Sequence, residues 1–169
     1  MCQELSCRSC RPNESVTVIL KLVDYCNFDC DFCRYPHNKE RNTMSFDTYK
    51  TIVTKACEYN IAQGVNRLSI IYHGGEPLLW GIKLFEKAIQ FQNELRVTYH
   101  KLTIRNSVQT NGSLLDAEYI EFFKANNFNI GISIDGPDEI NFHKNKKGNK
   151  VVFENMKKMR DAGCSFGIL

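Results

Sequence analysis

Two hydrophobic periods alternate along this chain, and that alternation constrains its fold more than any other feature. SVTVILKL, from Ser15, is a short run of β-branched and apolar residues, the pattern of a buried strand. From Ser45, a residue able to cap a helix, Tyr49, Ile52, Val53, Ala56 and Cys57 recur on one helical face through about Asn60. Strand character returns in RLSIIYH. A helix over IKLFEKAIQFQNELR, a strand in KLTIRNSVQT, a helix in DAEYIEFFKANN and a strand in NIGISID follow. A helix in VVFENMKKMRDA and a final buried strand in CSFGIL complete the series. This gives about four and a half βα units. Parallel strands need long crossovers, which helices supply, so the expected fold is α/β with a parallel sheet, open or curved toward a barrel.

A chain of 169 residues, 43% hydrophobic and 24% charged, has the composition of an ordinary folded domain with one sizeable core. Its net charge of +3 is mild, and its cations are not interleaved with aromatics, so nucleic acid is not an expected partner. The amino terminus lacks the apolar segment of a signal peptide, and no later run is long enough to cross a bilayer. A cytoplasmic protein is therefore expected, with no membrane association. That compartment keeps thiols reduced, so the eight cysteines read better as metal ligands than as a disulfide framework.

The cysteines fall into groups. Cys2, Cys7 and Cys10 lie in an extension over residues 1–14, either a polar terminus or part of a second metal site. Cys57 and Cys164 belong to apolar patterns and are expected in the core of the domain spanning 15–169. Lysine-rich NFHKNKKGNK, from Asn141, reads as a solvated connection. The chain ends at Leu169 inside its last strand pattern with nothing to cover it, which reads as the truncated end of a longer domain.

Four polar motifs mark the strand ends. CNFDCDFC, Cys26 to Cys33, follows the first strand, and HGGEP, His73 to Pro77, follows the second. QTNG, Gln109 to Gly112, follows the third, and SIDGP, Ser133 to Pro137, closes the fourth. All four lie at carboxyl ends, the edge of a parallel sheet where ligands gather. Unrelated turns would explain the Gly and Pro but not the thiols. The C-x3-C-x2-C spacing offers three ligands and no adjacent fourth. A [4Fe–4S] cluster held by three cysteines leaves one iron open to an exogenous molecule. Zinc is the rival, but its structural sites prefer complete sets built from C-x2-C pairs, and His37 would have to serve as the fourth ligand.

This loop, with Phe32 before its last cysteine and Gly74-Gly75-Glu76-Pro77 at the next strand end, resembles the radical S-adenosylmethionine enzymes. The resemblance runs through QTNG and SIDGP from about Val16 to Leu169. It is nearest to the branch holding anaerobic sulfatase-maturating enzymes and other SPASM-type peptide-modifying enzymes. It implies a partial TIM-like barrel in which Cys26, Cys30 and Cys33 ligate three irons while S-adenosylmethionine chelates the fourth. It further implies Phe32 near the adenine, Gly74, Gly75 and Glu76 at the methionine amino group, Ser133 as a polar cofactor contact, and Tyr35 facing substrate.

One departure is specific: Asn145 stands where that branch commonly carries an arginine for the cofactor carboxylate. Asparagine hydrogen-bonds without charge, and the flanking Lys144 and Lys146 are point charges lacking the planar fork of arginine. The implied chemistry is reductive. A donor such as flavodoxin or ferredoxin reduces the cluster, S-adenosylmethionine is cleaved to a 5′-deoxyadenosyl radical, and that radical takes hydrogen from a peptide or protein side chain. A small-molecule substrate and a non-catalytic zinc or iron–sulfur module are the alternatives. His73 and Asp135 are read as strand-end and turn residues without a catalytic role.

Overall fold

The structure, a computed structural model, describes residues 15–33, 41–137 and 149–169. The extension with Cys2, Cys7 and Cys10 lies outside the described residues, as do Tyr35, His37, Lys144, Asn145 and Lys146.

Strands β1 (Val16–Val23), β2 (Arg67–Gly74), β3 (Thr103–Thr110), β4 (Asn129–Ile132) and β5 (Gly167–Ile168) form one sheet in sequential order, every neighbouring pair parallel. Helices α1 (Phe46–Ala62), α2 (Ile82–Thr98), α3 (Ala117–Ala125) and α4 (Lys150–Asp161) fill the crossovers. Right-handed crossovers in unbroken sequential order put all helices on the same face, which is barrel winding and not the two-sided winding of a Rossmann sheet. The described sheet stays open, as expected of a partial TIM-like barrel.

Side-chain alternation sorts the two faces. Leu20, Leu22, Leu68, Ile70, Tyr72, Ile104, Val108, Ile130 and Ile132 are buried, in one core with Tyr49 and Val53 of α1, Phe85 and Ala88 of α2, and Phe123 of α3. Phe85 is the hub, its ring centroid 5.2 Å from Tyr72 and 5.4 Å from Trp80. Each such side chain contributes about 1.5–3 kcal/mol by leaving water. Among the described residues nothing packs over the opposite face, where Ile19 is 65% exposed.

Local chemistry sets the helix starts. Ser45 caps α1 by accepting the Thr48 N–H at 3.1 Å, and Asp116 caps α3 by accepting the Tyr119 N–H at 2.9 Å. Behind the sheet lies a polar group that the periodicity hides. The Gln92 Nε2 is 2.8 Å from both the Tyr49 and Tyr72 hydroxyls and 3.0 Å from Asn106 Oδ1, while Asn106 Nδ2 donates back to Gln92 Oε1 at 2.8 Å. All four residues are buried, so this network ties α1, α2, β2 and β3 together. Burial pushes the Tyr49 hydroxyl up to about 12.

The last strand departs from expectation. CSFGIL is not a buried strand: only Gly167–Ile168 pair, and Ile168 and Leu169 are 59% and 73% exposed. Burial of a strand needs packing on its faces and edges, and its own composition cannot supply that. Cys164 is nonetheless buried, as is Cys57. β4 is shorter than NIGISID, although its pairing continues through the Ser133 N–H, which donates to the Thr110 carbonyl at 2.9 Å.

Candidate functional site

The cysteine loop leaves β1 between two clamps. On one side the chain returns antiparallel to β1: the Met44 N–H donates to the Leu22 carbonyl at 2.7 Å, and the Asp24 N–H to the Asn42 carbonyl at 3.1 Å. The Asp24 carboxylate also accepts from the Asn42 backbone N–H and side-chain amide, both at 2.8 Å. On the other side the GGEP segment seals the loop. Gly75 donates to the Val23 carbonyl and Glu76 to the Tyr25 carbonyl, each at 2.9 Å. Glycine is required here, because a Cβ on Gly75 would overlap the Tyr25 carbonyl oxygen, and one on Gly74, at φ +133°, would strike the Val23 carbonyl oxygen. The missing side chains thus make room for the cysteine loop itself.

Glu76 faces inward. It is fully buried, and its Oε1 accepts from Thr110 Oγ1 at 2.7 Å and the Leu78 N–H at 3.0 Å, while Oε2 accepts from the Asn111 N–H at 2.9 Å. Burial raises its carboxyl pKa, and the three donors oppose that rise. The carboxylate joins the end of β2 to the end of β3 and starts the short 3₁₀ turn Pro77–Trp80.

Within the loop, Cys26, Cys30 and Cys33 are half-buried thiols. The Cys33 N–H donates to the Cys30 carbonyl at 3.1 Å, which closes the C-x2-C turn. Cys26 Sγ receives the Phe28 N–H at 3.3 Å and the Asn111 side-chain N–H at 3.6 Å. Burial pushes the Cys26 thiol up, partly offset by the Phe28 N–H.

A cavity of about 140 Å³ opens at this edge, lined by all three cysteines together with Phe28, Phe32, His73, Gly75, Gln109, Asn111 and Ser133. Of the residues singled out in the sequence, Cys26, Cys30, Cys33, Phe32, Gly75 and Ser133 meet there, while Gly74 and Glu76 stand behind it as framework. Tyr35 and Asn145 lie outside the described residues.

Four further residues line the cavity, Phe28, His73, Gln109 and Asn111, and the last three bring polar groups to it. The Gln109 Nε2 donates to Ser133 Oγ at 2.7 Å, its side chain lying across Gly131, where a Cβ would collide with it. His73 Nδ1 accepts the Gly74 N–H at 2.7 Å, which leaves the neutral ring's proton on Nε2. Asn111 touches Cys26 itself. QTNG at a strand end was the available signal for Gln109 and Asn111, but spacing does not say which way their amides point.

The donor set fits an iron–sulfur cluster better than one zinc ion. The three thiols line one cavity, and an all-cysteine donor set suits the iron of a cluster. A wider cleft of about 580 Å³, lined by Arg96, Arg105, Asn106 and Asn129, lies at the amino ends of β3 and β4 and contains no thiol.

Known proteins place this geometry. The chain is 36% identical over 117 residues to a cysteine-type anaerobic sulfatase-maturating enzyme of Clostridium perfringens, an alignment covering 68% of this chain and 31% of that enzyme. It is 35% identical over 131 residues to a serine-type enzyme of Bacteroides thetaiotaomicron, covering 73% of this chain and 30% of that one. It therefore spans about a third of the length of these curated relatives. A solved structure of native anSMEcpe with bound AdoMet and Cp18Cys peptide superposes with a TM-score of 0.79 at 27% identity, covering 92% of this chain and 42% of that chain. Residues 20–169 match the radical SAM superfamily, and the chain, with its parallel sheet and three-thiol loop, belongs to that family.

Proposed function

We propose that the chain holds a [4Fe–4S] cluster on Cys26, Cys30 and Cys33 and binds S-adenosylmethionine beside it, to modify a peptide or protein side chain. The observation that carries this reading is the convergence of the three thiols with Gly75, Phe32 and Ser133 on one cavity at the carboxyl edge of a parallel sheet. A cluster held by Cys26, Cys30 and Cys33 would supply, when bound and reduced, the electron for reductive cleavage of S-adenosylmethionine and hence hydrogen abstraction from substrate.

The chain's own residues bind and orient. Gly74, Gly75 and Glu76 form the segment that meets the methionine amino group, with the Glu76 carboxylate anchoring it to β3. Phe32, 61% exposed, flanks the adenine. Ser133 offers its hydroxyl to the cofactor with Gln109 Nε2 donating to it, which leaves the hydroxyl hydrogen available to donate. The family resemblance assigns Asn145 to the cofactor carboxylate and Tyr35 to the substrate, both outside the described residues. Residues 15–169 make up this core, with 1–14 as an extension. No helix among the described residues is long and apolar enough to cross a membrane, and a diffusible low-potential donor of the flavodoxin or ferredoxin type would serve as reductant.

A peptide substrate is supported by the relatives, which are sulfatase-maturating enzymes, and by a structural neighbour holding a peptide with AdoMet. The test is anaerobic reconstitution with iron and sulfide, reduction by dithionite with S-adenosylmethionine, and chromatographic assay of 5′-deoxyadenosine. Product is expected from the wild-type chain and none from the Cys26/Cys30/Cys33 triple alanine variant. One equivalent of colourless zinc in place of iron would overturn the assignment.

A further inference from the structure

Asn111 is held by its backbone N–H and by both ends of its side-chain amide. Its backbone N–H donates to Glu76 Oε2 at 2.9 Å. Its Oδ1 accepts two donors from Ser113, the backbone N–H at 2.9 Å and the hydroxyl at 2.7 Å. Those two donors fix the amide's orientation, since a flipped amide would turn its own N–H groups toward them. Nδ2 therefore points at the cysteine loop, one hydrogen going to Asn27 Oδ1 at 2.9 Å and the other to Cys26 Sγ at 3.6 Å. Asn27 closes the ring by donating from its Nδ2 to Ser113 Oγ at 2.8 Å. The segment beneath is pinned from α4, where Asn155 Nδ2 donates to the Gly112 and Ser113 carbonyls at 3.0 and 3.1 Å.

A donor aimed at a ligand sulfur has a definite electrostatic consequence. An N–H dipole directed at a thiolate stabilises negative charge on it, and a metal-bound thiolate carries more negative charge when its cluster is reduced. The reduced state gains more from the bond than the oxidised state, so the reduction potential rises. We infer that Asn111 is a positioning residue that raises the reduction potential of the cluster through its hydrogen bond to Cys26, a role distinct from binding the metal. The Phe28 N–H reaches the same sulfur at 3.3 Å, but it belongs to the backbone and side-chain substitution cannot remove it. Asn111 is thus the adjustable donor. The inference rests on Cys26, Cys30 and Cys33 being the cluster ligands.

The experiment is a redox titration of the reconstituted chain with dithionite and mediator dyes, following the reduced cluster by electron paramagnetic resonance, with iron per chain measured beside it. Asn111→Leu keeps the bulk and removes the donor. It should lower the reduced-to-oxidised ratio at fixed potential by about tenfold, a shift of about 59 mV to more negative potential for one electron. Asn111→Asp places a carboxylate oxygen against the sulfur and should shift further the same way. Asn155→Ala loosens the segment without touching the sulfur, and should lower the melting temperature while leaving the potential in place.

An unchanged potential in Asn111→Leu with normal iron content overturns the inference and leaves the cluster assignment standing. An equal shift in Asn155→Ala also overturns it, because loop movement would then be the cause. Should leucine block iron uptake, Asn111→Ser, too short to reach the sulfur, is titrated in its place. If serine blocks uptake too, the residue is structural and the inference fails. A wild-type chain that takes up no cluster overturns both this inference and the function beneath it.

Discussion

Replacing Glu76 by Gln tests whether its carboxylate joins two strand ends. Three donors converge on the buried group: Thr110 Oγ1 and the Leu78 N–H on Oε1, and the Asn111 N–H on Oε2. Glutamine offers one acceptor oxygen, and neither orientation serves all three. With its oxygen toward Thr110 and Leu78, its NH₂ faces the Asn111 N–H; flipped, the NH₂ faces the Leu78 N–H. One backbone donor is stranded either way, at a cost of about 1–3 kcal/mol. For a chain of this length, 2 kcal/mol corresponds to a fall in Tm of about 6 °C. Glu76→Ala strands all three donors and leaves a cavity, and should cost about 4 kcal/mol. The assay is thermal and urea unfolding of both variants, followed by far-ultraviolet circular dichroism. A Gln variant melting within about 1 °C of wild type would refute the reasoning, since a carboxylate turned toward solvent has no stranded donor to lose.

Three further outcomes follow from the same geometry. Gly75→Ala should displace the cysteine loop, because its Cβ overlaps the Tyr25 carbonyl, and reconstituted iron per chain should fall at least about threefold. Cys30→Ala should abolish iron uptake while moving the Tm of the metal-free chain by less than about 1 °C, since the loop thiol is half-buried and outside the core; retained iron would contradict its role as a ligand. Tyr49, raised from 10.0 to about 12 by burial, favours its protonated form when folded. It contributes stability that is fully present below pH 10 and lost as pH rises toward 12, about 3 kcal/mol in all. Alkaline unfolding monitored by tyrosinate absorbance should show that loss, and Tyr49→Phe should unfold over a higher pH range.

The elements were legible because periodicity is local: Ser45 as a cap and the stripe of Tyr49, Val53 and Cys57 both depend on residues within a few turns of one another. The edge carrying the site was legible for a topological reason, since parallel strands place every following motif on the same side. Direction was not legible. Gln92 falls on the buried stripe of its helix with Phe85, Ala88 and Leu95, and helical spacing does not show that Tyr49, Tyr72 and Asn106 meet its amide from three other elements. GGEP shows that Glu76 stands at a strand end, but only the positions of Thr110 and Asn111 show that its carboxylate also joins β2 to β3. The exposed final strand has the same explanation, because its burial depends on neighbours that its own residues do not specify.

What unites these residues is a circuit of hydrogen bonds around the cavity. The end of β2 holds the cysteine loop through the Gly75 and Glu76 N–H groups. The Glu76 carboxylate holds the end of β3. From there Asn111 returns to Asn27 and Cys26, so the circuit closes on the loop where it began. Each link joins backbone or short side chains at the tips of adjacent parallel strands, so the spacing of the thiols is set by sheet register rather than by the loop alone. A cluster needs its ligands placed within fractions of an ångström, and loops are less exact scaffolds than strands. Fastening CNFDCDFC to two neighbouring strand ends therefore gives the loop the rigidity of the sheet before any metal binds, and core substitutions that slip β2 against β3 should reduce iron affinity without touching a cysteine.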